Sequence, residues 1–69
     1  MKKWSDKLIE LSRKNLNYSG VRVKSLSAQF GELNIDYENQ IYTIEISNSN
    51  QTLIFKSVDE IISSGWVVD

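Results

Sequence analysis

Between Ile41 and Phe55 apolar and polar residues alternate strictly enough to dictate the local fold. Tyr42, Ile44 and Ile46 interleave with Thr43, Glu45 and Ser47, the period of a half-buried strand built from β-formers. Leu53 and Phe55 continue the apolar set beyond the polar turn Asn48-Ser49-Asn50-Gln51. The stretch therefore predicts a β-hairpin with Ile46 opposite Leu53 and Ile44 opposite Phe55. A slip of one residue would turn the whole apolar set to solvent, so burial sets which side chains face inward.

The same period recurs upstream. Leu33, Ile35 and Tyr37 alternate with Asn34, Asp36 and Glu38, which predicts a strand joined to the hairpin by a tight turn near Asn39-Gln40. Val21 and Val23 alternate with Arg22 and Lys24. After Ser25 the apolar parity moves to Leu26, Ala28 and Phe30, the pattern of a bulge or bend in one long first strand, with Gly31 marking the next turn. These strands form one antiparallel meander with the Ile41 to Ser47 strand at its centre, and Val67 and Val68 are candidates for a short edge strand.

Helical signals flank the meander. Ser5 is placed as an N-cap, with Asp6 in the first turn and Trp4 positioned to staple onto Ile9, and a helix to about Leu16 follows. Leu8, Ile9, Leu11 and Leu16 form its apolar stripe, while Lys7, Glu10, Arg13 and Lys14 fall mainly opposite. Asn17-Tyr18-Ser19-Gly20 ends it. Ser57-Val58-Asp59-Glu60 carries the capping-box pattern and opens a short helix through Ile61 and Ile62 that Gly65 stops, leaving Trp66 to pack back on Ile61. The expected fold class is α+β, a single domain over residues 1–69: helix, antiparallel meander of three to four strands, short helix, with both helices on one face. Its predicted core is Leu8, Leu11, Leu33, Ile35, Tyr42, Ile44, Ile46, Leu53, Phe55 and Ile61.

Sixty-nine residues sit near the lower limit for a single unstapled core. The chain has no cysteine and no histidine, which excludes disulfides, the usual zinc ligand sets, the commonest general base and the strongest common nucleophile. Asp59 and Glu60 are the only adjacent acids, and their place at a helix start explains them by capping and dipole. The glycines form no phosphate loop and the acids no calcium loop. The sequence thus points to a protein that is not an enzyme and needs no cofactor or metal. Its start lacks the apolar run of a signal peptide and no stretch reaches membrane-spanning length, so a cytoplasmic protein is expected. Asn17-Tyr18-Ser19 and Asn50-Gln51-Thr52 match the glycosylation acceptor pattern, an accident expected in an Asn- and Ser-rich chain.

Two surfaces then compete for a function. Residues 1–24 carry seven Lys or Arg and two acids, a net of +5, whereas residues 25–69 carry one Lys and seven acids, a net of −6. On the outer sheet face, Asp36, Glu38 and Glu45 should lie with Thr43 and Lys56 around Ile41 and Ile54. That mixture suits a protein partner, either a larger protein or a second copy of the chain. A composition heavy in Ile, Asn, Ser and Lys adds the expectation of a phage or mobile-element inhibitor of a host protein, of the anti-defence type. The alternative is a nucleic-acid-binding αβββα domain using Lys2, Lys3, Lys7, Arg13, Lys14, Arg22 and Lys24. The order helix, three strands, helix resembles the double-stranded RNA-binding domain in outline. That family holds phosphates with a basic cluster at the start of its second helix, where this chain has Ser57-Val58-Asp59-Glu60, so the resemblance stops at topology.

Overall fold

The computed structural model describes residues 3–69. In chain order the elements are α1 (Asp6–Asn15), β1 (Arg22–Ser25), β2 (Phe30–Asp36), β3 (Ile41–Ile46), β4 (Thr52–Phe55), α2 (Val58–Ser63) and β5 (Trp66–Val68). The fold is α+β, with five strands in the order β4-β3-β2-β1-β5 and every neighbouring pair antiparallel. β1 to β4 form the expected meander. β5 then crosses to the far side and pairs with β1, which makes β2 rather than the Ile41 strand the centre of the sheet.

Cross-strand register sorts the side chains by face. Val23, Leu33, Ile44, Ile46, Phe55 and Trp66 point inward and form the core with Leu16 and Ile61, while Ile35, Tyr42, Leu53, Val58 and Ile62 pack partly buried around them. The helices contact each other and both contact β5, with α2 reaching β4 as well. Their caps form as the sequence implies: Ser5 Oγ accepts from the Leu8 amide at 3.3 Å and Ser57 Oγ from the Glu60 amide at 3.1 Å. Gly65 ends α2 at φ 97°, a left-handed conformation suited to glycine.

Several expectations are corrected. The β3–β4 hairpin pairs Ile44 with Leu53 and Tyr42 with Phe55, two residues away from the expected register. The Ile46 amide donates to the Gln51 carbonyl (3.1 Å) and Asn48 adopts φ 61°, so the loop is Ser47-Asn48-Ser49-Asn50. Because the shift is even, every side chain keeps its predicted face. The parity break after Ser25 is a hairpin turn and not a bulge in one long strand. The Ala28 amide closes it on the Ser25 carbonyl (3.1 Å), the Ser25 amide donates to the Gln29 carbonyl (2.9 Å), and Ala28 takes the left-handed position at φ 64°. Gly31, expected in a turn, lies buried inside β2 opposite Ile46.

The helix stripe also differs. Leu11, expected in the core, is 44% exposed, while Ser12 is fully buried. The Ser12 hydroxyl donates to the Leu8 carbonyl (2.9 Å) and accepts from the Val68 amide (2.9 Å). The paired amide of Asp69 donates to Arg22, so by antiparallel alternation Val68 N–H points away from β1, toward the free edge of β5. A serine at the centre of the helix face thus satisfies an edge that would otherwise lie open. Trp4 donates its indole N–H to the Gly65 carbonyl (2.8 Å).

Ser12→Ala should therefore lower stability by about 1–3 kcal/mol in urea titration despite alanine's better helix propensity, because a buried amide loses its acceptor. Ser63→Ala, which loses only an exposed bond to the Glu60 carbonyl, should change it by less than about 0.5 kcal/mol. Equal effects would contradict the edge-capping role.

Candidate functional site

The outer face of the sheet follows from alternation. Each residue two positions from an inward apolar side chain shares its face, and the residues between them point outward. The register thus places on one surface Ile54 beside Thr43, Thr43 beside Asn34, Ile41 beside Asp36, and the row Thr52, Glu45, Glu32, Arg22 across four strands. Phe30, opposite Lys24, continues this surface at the far end of β2. Ile54 is 68% exposed, Phe30 48% and Ile41 37%, so three large apolar groups stand in solvent on this face, which at its β5 end also carries the buried Val67 opposite Lys24.

Of the expected patch, Asp36, Ile41, Thr43, Glu45 and Ile54 share this surface. Glu38 does not, because it sits in the turn between β2 and β3. Lys56 lies in the bend after β4 and lines, with Ile35, Tyr37, Gln40, Tyr42 and Ser57, an open depression of about 420 Å³ at the uncovered end of the inner face. Thr43 is half-buried, its hydroxyl donating to the Asn34 carbonyl at 3.3 Å. The Asp36 carboxylate accepts from the Asn39 side chain at 2.9 Å and from its amide at 3.3 Å, which holds the carboxyl below the ordinary carboxylate range. That anion organises the turn as well as facing solvent.

Phe30, Glu32 and Arg22 were missed as members of this face. Counting backward from the inward Leu33 through Gly31 would have found Phe30 and Glu32, but reading Gly31 as a turn ended the count. Glu45 and Glu32 stand directly opposite each other, a like-charge pair with Arg22 next in the row beside Glu32.

The basic residues are not gathered on one surface. Arg13 is ion-paired with Asp59, tying α1 to α2. Lys24 lies 5.4 Å from the centre of the Trp4 ring and 3.9 Å from the Asp69 carboxylate. Lys7 and Lys14 flank the exposed Leu11 on α1, while Arg22 belongs to the outer sheet face. Lys3 is exposed, and Lys2 lies outside the described residues. Among the described residues no helix is long and apolar enough to cross a membrane, and no group of three His, Cys, Asp or Glu could hold a metal ion. Compared with protein-family models, with curated proteins and with solved structures, the chain matches none.

Proposed function

We propose that this protein acts without catalysis, by stoichiometric association with a larger protein through the outer sheet face. The observation that carries the reading is the exposure of Phe30, Ile41 and Ile54 on one face that also bears Asp36, Glu45, Glu32, Arg22, Lys24 and short polar residues. Apolar groups held in water by a rigid sheet gain free energy when covered, roughly 25 cal/mol per Å² of apolar area removed from water. An open sheet face suits a protein partner better than a small molecule, and Asp36, Glu45 and Glu32 favour a partner with basic groups opposite them. The chain's lack of His and Cys supports the non-catalytic part of the reading.

Capture from the native host with tagged wild type, Ile41→Asp and Phe30→Asp tests it. Both variants should keep the wild-type far-UV spectrum, since both side chains are already exposed. Each should lose at least about tenfold of the captured partner, because a carboxylate buried at an interface without a counter-charge costs several kcal/mol. Should Lys7→Glu and Lys14→Glu abolish a strongly salt-dependent association while the face variants behave as wild type, the outer face is not the working surface and nucleic acid takes its place.

A further inference from the structure

We infer that β4 is a self-pairing edge, and that two copies of the chain join through it in antiparallel fashion to make one continuous ten-stranded sheet. The two edges of the sheet are treated differently. At β5 the outward amide of Val68 is taken up by Ser12, and α1 packs against the strand. At β4, which α2 contacts, no side chain among the described residues takes up an outward amide. The Ile46 amide bonds Gln51, so pairing alternates through Ile44 with Leu53 and Tyr42 with Phe55, and Thr52 and Ile54 aim their backbone groups away from β3. The amides of Thr52 and Ile54 thus face the open edge, and both residues are exposed.

Beyond its shortness, four residues, β4 carries none of the residue types that blunt an edge. Thr52-Leu53-Ile54-Phe55 contains no proline, no glycine and no charge, and Ile54 is the most exposed large apolar side chain of the described residues. The occupant must bring an extended unpaired edge of its own, and a second β4 is such an edge. With a two-fold axis through the middle of the strand, a charge at or beside the axis would stand within reach of its own copy, and β4 carries none; a foreign strand imposes no such condition. With the axis at Leu53, Thr52 of each copy faces Ile54 of the other and the two outward pairs exchange their amide and carbonyl bonds. Leu53, now half-buried, meets its own symmetry mate on the inner face. Outer-face binding of a larger protein is a separate property, since this contact uses an edge and leaves Ile41 and Phe30 uncovered.

Sedimentation of the full chain, combined with amide exchange at increasing concentration, tests the inference. A dimer is expected, with exchange at Thr52 and Ile54 slowing by at least about tenfold as it forms. Ile54→Pro removes an outward amide without touching a bond to β3, so it should sediment as a folded monomer, whereas Ile41→Asp should remain dimeric. A chain that stays monomeric at about 1 mM, with both amides exchanging as in an unstructured peptide, overturns the proposal. So does a dimer in which those amides stay unprotected and which Ile41→Asp dissociates, because that dimer forms through the outer face. If Ile54→Pro fails to fold, the exchange of these two amides in the unmodified chain decides between the two outcomes.

Discussion

Ile44→Ala is expected to lower the free energy of unfolding by about 2–5 kcal/mol, the range for truncating a fully buried aliphatic side chain that leaves a cavity. Ile44 has no exposed surface, sits between Leu33 and Leu53 on adjacent strands and belongs to the core cluster. A domain of this length without staples has total stability near the low end of roughly 5–15 kcal/mol, so the variant should populate unfolded or aggregated states. Glu45→Ala, next along the same strand but facing solvent, should change stability by less than about 0.5 kcal/mol. Any change should favour folding, because it removes the like-charge pair with Glu32. Urea titrations followed by circular dichroism separate the two, and coincident midpoints would refute the assigned facing.

The second large effect is expected at Gly31, where replacing glycine inside a strand would ordinarily stabilise. Alanine restricts the unfolded chain and would by itself add about 0.4–1 kcal/mol. Here, however, an added Cβ would lie 2.7 Å from the Glu45 carbonyl oxygen and 2.8 Å from Ile44 Cγ2. The oxygen belongs to the backbone of β3 and cannot rotate aside, so β2 and β3 would have to separate locally. Overpacking of that kind costs about 1–3 kcal/mol, which outweighs the entropic gain, and Gly31→Val should cost more. The two sites are coupled: Ile44→Ala removes one of the two obstructions, so Gly31→Ala should cost less in that background than alone. A midpoint at or above wild type for Gly31→Ala would show that β3 yields freely at this point.

What could be read from the chain was facing, because burial enforces the period of two regardless of exact register. The hairpin slid by two residues and still placed Tyr42, Ile44 and Ile46 inward and Ile41, Thr43 and Glu45 outward. What could not be read were features decided by tertiary contacts. Ala28 occupies a left-handed turn position without the glycine or asparagine that advertises one. Ser12 is buried at the centre of a helix face because of a bond to a strand distant in sequence, and it displaced Leu11 from the expected core. The candidate site suffered at its margins. Glu38 and Lys56 continue the alternation on paper, but the strands end before them, at Asp36 and Phe55. Phe30 and Glu32 were hidden by a glycine that breaks no strand, being there to let two strands approach closely.

The bond between Ser12 and Val68 spans 56 positions of the chain, and it bears on the order of assembly. The meander of β1 to β4 closes short loops and can form early, whereas α1 makes its main contacts with β5 and α2. A helix of 10 residues is marginal alone in water, so α1 should stay largely uncoiled until the last strand has docked. Closing that long loop belongs to the final step of folding. In the finished molecule α1 and β5 should then open as one cooperative unit, their amides exchanging with a common free energy below that of β2 and β3.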